Sequence, residues 1–99
     1  MAASPTDPAP GTVPPPVARN PSAGAEFERL VEIMRTLRSP AGCPWDREQT
    51  LVSLAPYVQE EAAEVVDAIE RGDMRELREE VGDLVFEGVF LAQVALESG

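Results

Sequence analysis

Two apolar repeats of helical period stand almost end to end in the second half of the chain, and only Gly72 and Asp73 separate them. Val58, Ala62, Val65, Val66 and Ile69 recur at three- and four-residue intervals before that break. Leu77, Val81, Leu84, Val85, Gly88, Ala92 and Ala95 do so after it. Two helices joined by so short a link must fold back on each other as an antiparallel pair. Gly72 suits the left-handed residue that ends a helix, and Asp73 with Glu76 three residues on fits a variant of the capping box that starts one. The first helix of the pair is expected to run from Leu54 or Pro56 to Arg71, with Pro56 in the first turn, where a missing N–H costs nothing. The second is expected to run to about Glu97. Gly82 and Gly88 inside it each cost about 1 kcal/mol against Ala, which predicts close approach of another element at both.

Upstream, Phe27, Leu30, Val31, Ile33, Met34 and Leu37 predict a further helix over Ala25–Arg38, closed by Ser39-Pro40. Residues 39–49 read as a loop broken by two prolines and Gly42. No alternating pattern of a strand appears, so the fold class is all-α: a helical hairpin plus a preceding helix. Pro5, Pro8, Pro10, Pro14, Pro15, Pro16 and Pro21 crowd the start of the chain. Residues 1–25 therefore read as a disordered proline-rich tail and 26–99 as the folded domain. A core this small is marginal alone, and oligomerisation is a common remedy.

Composition removes many chemistries. The 99 residues include no His and one Cys, so His-based nucleophile pairs and zinc sites, disulfides within the chain and iron–sulfur centres are excluded. Cys43, with no base to activate it, reads as a small apolar residue in a reducing compartment. The net charge is −10 and all eight cations are Arg. A surface so anionic repels phosphates, so nucleic acid is not an expected partner, and a phosphate substrate would need a metal cation between it and the protein. No apolar run is long enough to span a membrane and no signal peptide is recognisable, so the expected location is cytoplasmic.

Carboxylates remain, and they repeat. Residues 60–67 read EEAAEVVD and 79–86 read EEVGDLVF, so each hairpin helix carries a pair: Glu61 with Glu64, and Glu80 with Asp83. On a helical wheel the first acid of each pair lies roughly 80° from the centre of its apolar stripe and the second roughly 140°, on the same side. Both pairs thus flank the expected seam, where an antiparallel hairpin can make them converge. Glu60, Asp67 and Glu79 point away and read as solvated acids. Four converging carboxylates repel unless a hard cation joins them, and Mg²⁺, with Mn²⁺ as its usual substitute, suits an all-oxygen site. The bland alternative is an acidic helix face partnered by scattered Arg, such as Arg71 with Asp67.

The run from Leu37 to Gly99, with Gly42-Cys43-Pro44-Trp45-Asp46, Gln49-Thr50, Glu60-Glu61-x-x-Glu64 and Glu80-x-Gly82-Asp83, resembles the N-terminal domain of MazG, in the all-α NTP pyrophosphatase superfamily. The resemblance covers about residues 27–99. It implies Mg²⁺-dependent hydrolysis of nucleoside triphosphates to the monophosphate and pyrophosphate, with Glu61, Glu64, Glu80 and Asp83 as metal ligands. Members of that family continue into a basic segment and a further helix, so a chain ending at Gly99 is expected to be a truncated member.

Within that chemistry Glu64, further from the seam, is the candidate acceptor of the attacking water's proton. Trp45 is a candidate platform for the nucleobase or, alternatively, a side chain packed onto the bundle; Arg47 is a candidate phosphate contact or a plain surface Arg. Phe86, Phe90 and Val94 form a second apolar patch on the last helix. Because three helices cannot cover it, it predicts either a subunit interface in a homo-oligomer, dimer or higher, that completes the bundle, or the further helix expected after Gly99. The alternative function is a non-catalytic helical interaction module that kept the fold and lost turnover.

Overall fold

A computed structural model describes residues 22–99, which form four helices and no strand. The proline-rich tail lies, as far as residue 21, outside the described residues. Helix α1 spans Ala23–Leu37, starting inside the stretch assigned to the tail, because after Pro21 nothing interrupts helical hydrogen bonding. The stretch read as a loop contains a one-turn helix, α2 (Pro44–Glu48), with Pro44 at its first position.

Helix α3 spans Leu51–Arg71 and begins earlier than expected. Its cap is Thr50, whose hydroxyl accepts the Ser53 amide at 3.1 Å while the Ser53 hydroxyl accepts the Thr50 amide at 2.8 Å. A Ser in place of the usual Glu or Gln closes this box, which hid the start from a search for the common pattern. Pro56 consequently sits inside α3 and not in its first turn. Both Pro56 and Val52, whose carbonyl lacks its usual partner there, are exposed.

The hairpin turn forms as read. Gly72 takes φ 68°, its N–H bonding back to Ala68 and Ile69, and Asp73 accepts the Glu76 amide at 3.0 Å to start α4 (Met74–Glu97). Arg71 clasps the turn by pairing with Asp67 in its own helix and with Asp73 and Glu76 across the break. Gly42 is required for a different reason. A Cβ there would fall 2.2 Å from the Thr36 carbonyl oxygen and 2.3 Å from that of Leu37, so only glycine lets the turn after α1 fold this closely. Gly82 and Gly88, by contrast, face open space, so close approach there is not found among the described residues.

The core corrects the assignment of faces. Met34, Leu54, Val89, Phe90 and Val94 form the buried cluster, with Leu30, Val31, Phe86 and Leu91 packed against it. The Phe86/Phe90/Val94 patch therefore lies inside the single chain, under α1 and the start of α3, and not at a subunit interface. Most of the stripes expected to make the hairpin seam lie outside: Val66, Ile69, Val81 and Val85 are between 41% and 56% exposed, and Ala62, Gly88, Ala92 and Ala95 are exposed too, while Val58, Val65, Leu77 and Leu84 are half-buried. Helix α1 covers one side of α4, which satisfies the second patch without another copy. No helix among the described residues is long and apolar enough to cross a membrane.

This core is small enough for one aromatic to decide it. Phe90→Ala is expected to cost about 3–5 kcal/mol, enough to unfold a domain of this size. Circular dichroism melts check it; a Phe90→Ala chain that melts within about 5 °C of the wild type would contradict the assignment of Phe90 to the core.

Candidate metal centre

The seam between α3 and α4 is carboxylate where a hairpin is ordinarily apolar. On α3 the residues facing the partner helix follow from the buried Leu54 and Ala68, which lie two turns before and after Glu61 on the same side of the helix. On α4 the corresponding row carries Glu80 and Glu87. Glu61, Glu64 and Glu80 each present an oxygen such that all three lie within 4.8 Å of one another. One oxygen each of Glu61, Glu80 and Glu87 is sealed from solvent with no hydrogen-bond partner.

Such crowding leaves a signature. Burial pushes the Glu61 carboxyl above its ordinary value, with the charges of Glu64, Asp83 and Glu87 adding, although its hydrogen bond with Glu80 opposes the rise. Glu64 is raised by its hydrogen bond and charge contact with Glu80. The bond with Glu64 favours the charged form of Glu80, but burial and the neighbouring Glu61 leave that carboxyl raised as well. Each of these shifts favours the neutral carboxyl over the charged one. A divalent cation fits the same place: hard, oxygen-seeking, and able to satisfy the orphaned oxygens without protonation.

Three of the four expected ligands converge. Asp83 is exposed and stands outside the close trio, near enough for its charge to act on Glu61, Glu64, Glu80 and Glu87. Glu87 is the acid that sequence reading missed. Burial raises its carboxyl, and Asp83 and Asp46 raise it further. Its spacing from Glu80 and Asp83, seven and four residues on, was a visible sign that it shares their face.

Trp45 stands at the Tyr57–Phe90 end of the acidic seam. Its ring meets Tyr57 edge-on at 5.9 Å and Phe90 at 6.5 Å, yet the residue stays 49% exposed, so it is both packed and open. Arg47 donates to the Pro40 carbonyl at 2.9 Å, inside its own loop. Cys43 is half-buried.

The fold and site define an all-α domain with a carboxylate cluster clasped between two antiparallel helices. The MazG nucleotide pyrophosphohydrolase domain matches residues 49–99, and the chain belongs to that family. It is 55% identical over 75 residues to the nucleoside triphosphate pyrophosphohydrolase of Escherichia coli K12, covering 75% of this chain and 28% of the relative. It is 51% identical over 77 residues to the nucleoside triphosphate pyrophosphohydrolase/pyrophosphatase MazG of Thermotoga maritima, covering 78% and 30%. With the nucleoside triphosphate pyrophosphohydrolase of Mycobacterium tuberculosis the identity is 46% over 71 residues, covering 69% and 21%. The chain thus spans less than a third of the length of these relatives.

The raised carboxyls fix the sign of a pH effect. A group whose folded pKa exceeds its unfolded value contributes stability that is fully present below the unfolded pKa and is lost as pH rises through the folded one. Glu97 works the other way, held low by hydrogen bonds from Arg38 and then Gln93, and its contribution is lost as pH falls through its folded pKa. With three raised carboxyls of the trio and Glu87 against one lowered, metal-free protein should melt higher at about pH 5 than at about pH 7. Glu61→Gln with Glu80→Gln should flatten that difference. A double variant that keeps the full wild-type pH dependence would show that these carboxyls are not its source.

Proposed function

We propose that this domain hydrolyses nucleoside triphosphates to the monophosphate and pyrophosphate, using one or more Mg²⁺ ions held by Glu61, Glu64, Glu80 and Asp83. The observation that carries the reading is the trio of carboxylate oxygens within 4.8 Å, two of whose members keep a sealed, unpartnered oxygen. A plain acidic surface face has no reason to seal carboxylate oxygens away from water without a partner; a cation site does. The relatives' names supply the reaction, and the residues supply a way to run it. Mg²⁺ rather than a softer ion follows from the all-oxygen donor set, and it supplies the charge neutralisation that lets a triphosphate approach so acidic a surface.

Glu64 takes the proton of the attacking water. It lies further from the seam than Glu61 and Glu80, which leaves room for a water beside it. Attack falls on the α-phosphorus with pyrophosphate leaving, and catalysis is chiefly positioning and charge stabilisation. Trp45 offers its open face to the base, and Arg47 on the same short helix offers its remaining donors to the phosphates. Pyrophosphate release measured with a coupled inorganic pyrophosphatase tests this. Glu61→Gln and Asp83→Asn are each expected to lower the rate at least about 10²-fold and to weaken Mn²⁺ binding. Wild-type protein that binds Mn²⁺ but releases no pyrophosphate from any common NTP would favour the non-catalytic module.

The second copy belongs to this reading as well. The exposed stripe of Ala62, Val66 and Ile69 on α3 and that of Val81, Val85, Gly88 and Ala92 on α4 lie on the same side of the hairpin, opposite Trp45, and carry no charge. On a chain of net charge −10, this is where two copies can meet without pressing like charges together. A homodimer through this underside, and not through Phe86, Phe90 and Val94, is the proposed assembly. Val66→Glu with Val85→Glu should halve the mass in sedimentation while leaving the helical signal in place. An unchanged mass would remove this face as the interface.

A further inference from the structure

Helix α2 holds Trp45, yet it has only one turn, and a helix that short does not persist by its own hydrogen bonds. The last carbonyls of so short a helix lack α-helical partners, and that of Asp46 accepts a long bond from the Gln49 amide at 3.4 Å. Arg38 meets them. From the end of α1 its Nη1 donates to the carbonyls of Asp46 at 2.7 Å, Arg47 at 3.0 Å and Gln49 at 2.9 Å. The other edge of the same guanidinium grips Glu97, in the last turn of α4, with Nη2 at 2.6 Å and Nε at 3.2 Å. The Arg38 side chain is only 9% exposed. All three guanidinium nitrogens donate, in a planar arrangement that Lys cannot reproduce.

The position of this clamp relative to the acids matters. Trp45 touches Tyr57, one turn before Glu61, and Phe90, one turn after Phe86. Asp46 of α2 acts on the carboxyl of Glu87. So α2 lies over the trough whose far part holds Glu61, Glu64 and Glu80, and α2 itself contributes none of that trio.

We propose that Arg38, locked by Glu97, is a positioning residue that sets Trp45 at the mouth of the acidic trough and thereby fixes where the base of the nucleotide lies relative to the metal-holding acids. This rests on the reading of Trp45 as the base platform. It separates two affinities that a purely structural role would change together: loss of the clamp displaces Trp45 but leaves the carboxylates of α3 and α4 where they are.

Trp45 is the single Trp of the chain, so its emission reports the position of α2 directly. The test uses the full chain, Mn²⁺ alone as one probe and Mg²⁺ with a non-hydrolysable α,β-imido nucleoside triphosphate as the other. Wild-type emission should change on adding nucleotide. In Arg38→Gln the emission of the free protein should shift to the red and nucleotide affinity should fall about tenfold, with Mn²⁺ affinity within twofold of wild type. Arg38→Lys should not rescue it. Should Arg38→Gln lose helicity, Glu97→Gln decides, because it removes only the lock: a red shift and about threefold weaker nucleotide binding support the clamp. Emission and nucleotide affinity unchanged in a folded Arg38→Gln, or in Glu97→Gln if that variant has to decide, would overturn it. A wild-type emission indifferent to nucleotide would overturn the platform reading itself, a failure distinguishable from that of the clamp.

Discussion

Like charge at the centre of the hairpin is the constraint around which the rest is arranged. Helices α3 and α4 pair through a row that includes Glu61, Glu80 and Glu87, three carboxyls with a sealed oxygen each. Like charges crowded in this way repel, so this seam works against pairing at neutral pH. The hairpin therefore needs closure from elsewhere, and each end supplies it differently. At the turn, Arg71 joins Asp67 to Asp73 and Glu76, and Gly72 takes the left-handed backbone that the reversal demands. At the open end, Leu54 of α3 meets Phe90 and Val94 of α4 in the same buried cluster as Met34 of α1.

The preceding helix is thus not an accessory. Without Met34 over Phe90 the open end would lose its cover, and the acids would have only the turn to hold them in register. The same helix delivers Arg38 to its place, through a turn that Gly42 alone permits. One consequence is a division of labour by element: α3 and α4 carry the carboxylates, while α1 and α2 set what stands beside them.

Much of this was legible in the sequence, and the error that was made is instructive. The all-α class, the reversal at Gly72-Asp73 and the cap at Asp73 follow from local chemistry, which needs no knowledge of which way a helix faces. That the acid pairs of the two helices can converge also follows from spacing, which places Asp83 in the group beside Glu61, Glu64 and Glu80, whereas the structure leaves it outside the close trio. The orientation does not follow in this way. Helix α4 is apolar on two sides, and its longer stripe, Leu77 to Ala95, sets the expected inner face. The structure turns both hairpin helices so that the acids, roughly 80° from those stripes, enter the seam. Because the offset is the same in both helices, the relation between the acids survives, while the outer part of each stripe, Val66 and Ile69 on α3 and Val81 and Val85 on α4, turns to the surface. Glu87 was lost by the same step, since a Glu beside Phe86 looks solvated unless that side is known to be inside.

That rotation also explains why a chain with so little apolar surface leaves Val66, Ile69, Val81 and Val85 in the open. A seam filled with carboxylates cannot also bury the stripes that flank it, for the helices are already committed to one face of contact. The stripes must lie on one side of the pair, and the open site with Trp45 on the other. A hairpin built to hold a cation is in this way also built with a charge-free back. Burial of that back by a second copy would add the apolar area that the acid seam withholds, at about 25 cal/mol for each Å² removed from water. In the proposed arrangement the copy behind the hairpin and the cation within it would each add to the closure that the turn and the Met34–Phe90 cluster supply, because both act only on the folded state.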